Sequence, residues 1–287
     1  MAVVILLQTI TSVTQAAQPT YQIYTSKELA ITSQEMAKLV DYYNVIVFGE
    51  YHDNDVLHKL ETEFLVCAFT KQPKLAVSLE MFERDTQEML DDYLADKISE
   101  TEFLDKSRPW KNYQADYRPL VEFAKNNSLP VLAANIPRPL AAQYAKEGSL
   151  EAVAEEMKVY LPKIHLHPEG QYQQNFIKVM SNNSGKMPVT ADKINNYYKA
   201  QCLKDDTMAE SIAEFCQLNP DYKVIHYQGD FHSRYHLGAV EKLQQLAPHL
   251  KVAVITPVYV ENFAEIPDLI KQYKNDGNII IFLKQVK

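Results

Sequence analysis

The chain has 287 residues, of which 46% are hydrophobic and 23% are charged, and its formal net charge is −8. Such a chain can form one large domain, or a domain with an insertion, and can bury a sizeable core without disulfide bonds. The acidic balance and the lack of a basic run interleaved with aromatic residues argue against nucleic-acid binding. Neither a glycine-rich phosphate loop nor a Gly-x-Ser-x-Gly motif occurs, so nucleotide-binding and serine-hydrolase functions lack support.

An apolar run begins at Ala2 and continues weakly to Val13. Thr14 and Ala16 follow it and place small side chains at the usual cleavage positions. We therefore expect residues 1–16 to be a secretory signal peptide, although no Lys or Arg precedes the run. The mature chain, residues 17–287, is then exported to the periplasm or the cell envelope. No cysteine directly follows the run, so lipid attachment there is not expected.

The sequence then alternates between helix and strand patterns. Thr32 and Glu35 have the spacing of a capping box, and apolar residues at helical spacing follow them. Further helical patterns begin at Asp85, Ser99 and Asp116. Nearly continuous apolar runs, typical of strands buried on both faces of a parallel sheet, lie at residues 44–48, 74–79, 129–134, 223–228, 251–256 and 278–283. This order predicts an α/β fold with a mostly parallel sheet flanked by helices.

The strand pattern is interrupted between residues 139 and 220. Helical patterns occupy this stretch at residues 150–160, 169–182 and 191–217. We predict a helical insertion or subdomain at about residues 139–220 that covers one end of the sheet, and residues 85–118 are candidates to join it.

Two predicted strands end in the same motif. Residues 49–52 and 229–232 each read glycine, acid, aromatic, histidine. In an extended chain, side chains at i and i+2 share a face, so we expect Glu50 to lie beside His52 and Asp230 beside His232. Ligands of open parallel sheets bind beyond the carboxyl ends of strands. These groups are suited to binding a divalent metal, orienting a water for general-base chemistry, or facing a haem iron.

Other polar residues follow predicted strands at the same edge. Glu80 ends the second apolar run, and Arg84 is a candidate partner for its carboxylate. Asn135 and Arg138 follow the third run. Tyr235 comes shortly after the second motif and is close enough in sequence to reach the same pocket.

Several stretches of this chain, in this order, resemble the ChaN-like haem-binding proteins of the Tiki superfamily. They are residues 48–53 (FGEYHD), 79–87 (LEMFERDTQ), 116–124 (DYRPLVEFA), 134–138 (ANIPR), 201–212 (QCLKDDTMAESI) and 229–232 (GDFH). The resemblance implies an α/β domain with a helical subdomain that binds haem, serves haem-iron acquisition at the bacterial envelope, and self-associates around haem as a homodimer. It also implies that the paired motifs, with Glu80 and Arg84, are the shared site of the superfamily, which some relatives use for metal-dependent peptide hydrolysis.

Three hypotheses follow. In the first, the chain binds haem without catalysis, together with an envelope uptake machinery. Candidate cofactor-binding residues are Glu50, His52, Glu80, Arg84, Asn135, Arg138, Asp205, Asp230, His232 and Tyr235. In the second, the chain is a hydrolase that holds a divalent metal, such as zinc or manganese, with His52, His232, Glu50 and Glu80. In the third, it is a non-catalytic envelope protein with a degenerate site. The sequence alone does not assign the axial ligand of the haem iron.

Overall fold

The computed structural model describes residues 19–183 and 190–285, so the predicted signal peptide at residues 1–16 lies outside the described residues. In these ranges the strands are β1 (Tyr21–Thr25), β2 (Ala30–Ile31), β3 (Val45–Glu50), β4 (Leu75–Glu83), β5 (Val131–Asn135), β6 (Lys223–Gly229), β7 (Val252–Val260) and β8 (Ile279–Lys284). The helices are α1 (Ser33–Met36), α2 (Leu39–Tyr42), α3 (Asp55–Lys71), α4 (Gln87–Leu94), α5 (Glu100–Ser107), α6 (Tyr113–Asp116), α7 (Arg118–Asn126), α8 (Arg138–Glu147), α9 (Gln171–Asn183), α10 (Ala191–Leu218), α11 (Ala239–Leu246) and α12 (Ile266–Tyr273).

One sheet contains the eight strands of the described chain, in the order β2-β1-β8-β7-β3-β6-β4-β5. The six strands from β8 to β5 pair in parallel, whereas β1 pairs antiparallel with both β8 and β2. The predicted α/β fold with a mostly parallel sheet is therefore confirmed. The antiparallel edge formed by β1 and β2 was not predicted, because these short strands lack a continuous apolar run.

The central strands are buried on both faces. On β3, Ile46 and Phe48 pack into a core layer with α3 and α7, while Val45 and Val47 pack on the other face against residues of α10 and α11. Successive side chains of a strand point to opposite faces, so both layers require apolar residues. This arrangement explains why the apolar character of these strands is continuous rather than alternating.

The helix boundaries follow the predicted signals in most places. The Thr32–Glu35 capping box is present, but two short helices, α1 and α2, replace the single helix expected after it. The helix predicted from Asp85 begins with a 3-10 turn, Arg84–Thr86, that leads into α4. The side chain of Asn54 caps α3 by accepting from the N–H groups of Val56 and Leu57, which fixes this helix directly behind the first motif.

In the described part of residues 139–220, helices and turns replace the strand pattern. Two of the three predicted helices are present as α9 and α10, whereas the stretch predicted as a helix at residues 150–160 contains a 3-10 helix, Glu155–Tyr160. Helix α10 packs against α8, α11 and β5. It carries a buried acid, Asp205, to the carboxyl edge of the sheet. Among the described helices, none combines the length and apolarity needed to span a bilayer.

Candidate functional site

The two Gly-x-x-His motifs lie side by side because β3 and β6 are neighbours in the sheet. Glu50 at the end of β3 is in register with Gly229 at the end of β6. Both motifs therefore leave the sheet at its carboxyl edge, where open parallel sheets bind ligands.

In the first motif, a buried acid pairs with a partly exposed histidine. His52 Nδ1 lies 2.5 Å from Glu50 Oε1, as the i, i+2 spacing predicts. The hydroxyl of Tyr117, on the turn between α6 and α7, donates to the same oxygen at 2.7 Å. Burial opposes the charged form of His52, but the Glu50 and Glu80 carboxylates together outweigh it and raise the pKa of the imidazole. The histidine is thus fixed in orientation while its side chain remains 42% exposed.

Glycine is required at the second motif because the His52 ring lies against its backbone. A Cβ atom on Gly229 would lie 2.8 Å from His52 Nε2 and 3.0 Å from Cε1. The Gly229 N–H donates to Glu80 Oε2 at 2.7 Å. Gly229 therefore places the two motifs and Glu80 in one compact site.

His232, the histidine of the second motif, lies between two buried carboxylates. Its Nδ1 is 2.6 Å from Asp205 Oδ1, and its Nε2 is 3.4 Å from Glu80 Oε1. Burial lowers the basicity of the ring, but Glu80 and Asp205 reverse this effect and raise the pKa of His232 to about 10. The same attraction holds the pKa of Glu80 well below its usual range despite its burial. Tyr172 donates to the other oxygen of Asp205 at 2.6 Å.

The expected pairing of Asp230 with His232 is wrong. Residues Asp230–His232 form a 3-10 turn instead of continuing the strand, so the i, i+2 rule for extended chains does not apply. Asp230 Oδ2 instead accepts from Arg234 Nε at 2.6 Å. Burial raises the pKa of Asp230 to about 6, although Arg234 counteracts that shift.

The suggested pairing of Glu80 with Arg84 is also wrong. The Arg84 guanidinium points to α10, where it contacts Glu210 and Ser211. Because β4 continues to Glu83, Glu80 lies within the strand, whereas Arg84 lies in the turn that follows it. Arg84 thereby anchors α10 to the sheet, and His232 is the partner of Glu80.

The two remaining candidates lie on the β5 side of the site. Asn135 donates to the backbone carbonyl of Glu80 at 3.1 Å. The Arg138 guanidinium binds Glu83 at 2.5 Å. Both residues line a smaller cavity of about 290 Å³ together with Lys204. Both residues therefore contact β4, the strand that carries Glu80.

Sequence reasoning missed the contacts that helices supply to Glu50. These come from Tyr117 and from His58 and Glu61 on α3, whose side chains are buried. One signal could have identified the two α3 residues. They are polar residues on the same face as Leu57, Leu60 and Phe64, and a polar group on the apolar face of a helix needs a partner.

A large cavity of about 960 Å³ opens beside the paired motifs. Its walls include His52, Phe231, Val179 and Lys178, together with Tyr235. Tyr235 has a positive φ of 65° in a turn, and its N–H donates to the carbonyl of Asp276 at 2.8 Å. This backbone conformation is uncommon for a bulky residue, and it leaves Tyr235 45% exposed.

Over residues 36–243, the sequence matches the family described as haem-binding uptake, Tiki superfamily, ChaN. The chain belongs to this family. Its fold is similar to that of a structure described as cofacial haem binding to ChaN of Campylobacter jejuni, with a TM-score of 0.69 and 16% identity over 92% of this chain and 97% of that chain. The erythromycin esterase EreC, in an open conformation, matches with a TM-score of 0.49 and 14% identity, over 84% of this chain and 77% of its own. No curated protein matches the sequence.

Membership of the ChaN family confirms the resemblance inferred from the motifs. The matched region begins in α1 and ends in α11. It therefore includes both Gly-x-x-His motifs, Glu80, Asp205 and Tyr235.

Proposed function

We propose that this chain binds haem in the 960 Å³ cavity beside the paired motifs and serves haem-iron acquisition at the bacterial cell envelope. The observation that carries the proposal is the exposed Tyr235 in the wall of that cavity. Phenolate oxygen is one of the axial ligands that proteins offer to haem iron. Family membership supports the same function.

The cavity supplies the groups that a haem requires. Its volume lies in the range of small-molecule and cofactor sites. Phe231 and Val179 provide apolar wall, against which a porphyrin face can pack. Lys178 lines the cavity without an acid partner among the described residues, so its ammonium is free to pair with a propionate carboxylate.

Tyr235 is better placed as an iron ligand than the other tyrosines of this cavity. The Tyr51 hydroxyl donates to the carbonyl of Pro257 at 2.9 Å, and the Tyr172 hydroxyl donates to Asp205. Both side chains are committed to partners inside the protein. The Tyr235 hydroxyl meets no hydrogen-bond partner within the described residues, so iron ligation would break no existing contact. His52 also borders the cavity and is the second candidate ligand.

A haemin titration of the purified full chain tests this proposal. We expect a saturable, shifted Soret band for the wild type. Tyr235→Phe should alter the band and weaken binding by about tenfold or more, equivalent to about 1.4 kcal/mol. Tyr42→Phe is the matched control, because Tyr42 lies on α2 and is 69% exposed. A wild-type protein without a saturable band would refute haem binding. An unchanged band in Tyr235→Phe would instead indicate that His52 is the axial ligand.

Self-association around haem is part of the same proposal. The cavity wall contributed by α9 exposes the apolar side chain of Val179. A second copy could cover this apolar surface once haem fills the cavity. We expect the mass measured by light scattering to double when haemin is added, whereas a mass that stays at 32.9 kDa would contradict a homodimer.

Export and a role in iron uptake have consequences in cells. We expect the protein in the envelope fraction and expect cells without it to grow poorly when haem is the sole iron source. Partners in an uptake machinery would then be captured by crosslinking in haem-grown cells.

A metal-dependent hydrolase is the alternative function. It is favoured by the proximity of the Glu50–His52 and Glu80–His232 pairs, because a Cβ atom on Gly229 would lie within 4 Å of both His52 and Glu80. In this alternative, His52, His232, Glu50 and Glu80 would hold a zinc or manganese ion that activates water. Hydrolysis that is lost in both His52→Ala and His232→Ala would support this function. Activity retained in both variants would exclude it.

A further inference from the structure

A second group of titratable side chains lies behind the paired motifs, on the other oxygen of Glu50. Oε1 of Glu50 contacts His52 and Tyr117, whereas Oε2 faces α3 and lies 3.5 Å from His58 Nδ1. Glu61 Oε2 lies 3.3 Å from the same nitrogen. In residues 19–183 and 190–285, these three side chains bring one ligand atom each within 4.8 Å of one another.

The cluster contains more negative charge than the protein compensates. The side chains of Glu50 and Glu61 are both 0% exposed. In the described structure, neither carboxylate pairs with a lysine or arginine, and both Glu50 Oε2 and Glu61 Oε1 lack a hydrogen-bond partner. Removing two carboxylates from water costs several kcal/mol per ion unless a positive charge compensates them. His52 pairs with the other oxygen of Glu50, and either an added proton or a bound cation compensates the remaining charge.

In the tautomer with its proton on Nε2, His58 presents a lone pair to both carboxylates. Its Nε2 lies 3.4 Å from the His52 carbonyl and 3.6 Å from Asp116 Oδ2. Asp116 is itself held by Asn112 Nδ2 at 2.7 Å. Metal-bound histidines almost always donate their second ring N–H to a carbonyl or carboxylate in this way. With the proton on Nε2, Nδ1 is an acceptor that points at two other acceptors.

The spacing of these atoms matches a metal polyhedron. Zinc binds imidazole nitrogen and carboxylate oxygen at about 2.0–2.2 Å, so the ligand atoms of a tetrahedral site are about 3.3–3.6 Å apart. The two oxygens lie 3.5 and 3.3 Å from His58 Nδ1, within this range, and the three ligand atoms all lie within 4.8 Å of one another.

We propose that Glu50, His58 and Glu61 form a buried site for one divalent transition-metal ion, behind the 960 Å³ cavity that Glu50 also lines. One imidazole with two carboxylates suits zinc or manganese better than calcium or magnesium, which prefer all-oxygen sites. Three protein ligands leave a fourth tetrahedral position for a water molecule.

A second cavity borders this site. His58 and Asp116 line a cavity of about 390 Å³ on the α3 and α6 side of the molecule, with Asp55 also in its wall. The wall carries two carboxylates and one ammonium group, that of Lys59, so its formal charge is negative. The lining of the 960 Å³ cavity does not include His58 or Glu61.

Metal analysis and calorimetric titration of the chelator-treated full chain with Zn²⁺ and Mn²⁺ test the site. We expect one equivalent to bind and binding to weaken about 100-fold or more in Glu61→Gln and His58→Gln. Glu63→Gln is the control, because Glu63 lies on the same helix and contacts Ser33 instead. His232→Ala should also retain the ion. Unchanged binding in Glu61→Gln, no binding by the wild type, or selective loss in His232→Ala would each overturn the proposal.

Two further measurements separate loss of the metal site from loss of the fold. Circular dichroism verifies folding, and the rise in Tm on adding Zn²⁺ should occur in the wild type and in Glu63→Gln but vanish in Glu61→Gln. X-ray absorption of the zinc-loaded wild type should give one imidazole per ion. Two imidazoles per ion would place the metal between His52 and His232 and refute the site at Glu61.

Discussion

The position of His232 between two carboxylates predicts a specific pH dependence of stability. In the folded protein, Glu80 and Asp205 raise the pKa of His232 to about 10, despite burial, from an ordinary value of 6.5. A raised pKa means that the folded state holds the proton more tightly than the unfolded state. The stabilisation is therefore complete below about pH 6.5 and is lost progressively as the pH rises towards 10.

The magnitude follows from proton counting. Between pH 7.5 and 9.5, the folded protein keeps the His232 proton while the unfolded chain has released it. The free energy of unfolding should then fall by about 1.4 kcal/mol per pH unit, or about 2.7 kcal/mol over this interval, from His232 alone. Other groups titrate in the same range, so the quantity to compare is the difference between wild type and His232→Gln.

Urea denaturation at pH 7.5, 8.5 and 9.5 measures this difference. We expect the wild-type free energy to fall more steeply than that of His232→Gln by about 1.4 kcal/mol per pH unit. His249→Gln is a suitable control, since His249 is an exposed surface residue. Parallel pH profiles for wild type and His232→Gln would refute the view that Glu80 and Asp205 hold this histidine in its charged form.

Two further predictions concern stability. Tyr117→Phe removes the buried hydrogen bond to Glu50 and should lower the free energy of unfolding by about 1.5–3 kcal/mol, whereas Tyr42→Phe, at an exposed position, should change it by less than about 0.5 kcal/mol; equal effects in chemical denaturation would contradict the role of this bond. Gly238 has a φ of 57° and a ψ of −126°, and a Cβ there would lie 2.5 Å from the His232 carbonyl oxygen. Gly238→Ala should therefore lower stability by about 1–3 kcal/mol, and a Tm equal to that of the wild type would show that the turn can relax.

The fold could largely be predicted from the sequence because of its central strands. Each of the six parallel strands is an apolar run that is buried on both faces, and continuous runs of this kind are typical of parallel sheets covered by helices on both sides. The edge strands β1 and β2 were missed because they are short and partly exposed. Local composition does not distinguish such segments from loops.

The candidate site could be predicted only where the chain is extended. The i, i+2 spacing correctly placed Glu50 beside His52. The same rule failed for Asp230, because the chain turns into a 3-10 helix after Gly229. The partners of His232 and Glu50 come from α10, from the turn between α6 and α7, and from α3, and contacts across the fold depend on packing that no local pattern specifies.

The order of the strands also determines when the site can form during synthesis. Both neighbours of β3 in the sheet, β6 and β7, come from the last third of the chain. A nascent chain therefore carries the Glu50–His52 motif without any strand to pair with it until most of the protein has emerged. Contacts between distant segments of sequence are slow to close and late to form. The motif that borders the cavity is thus assembled only when the chain is nearly complete, so an incomplete chain presents no formed cavity to a ligand.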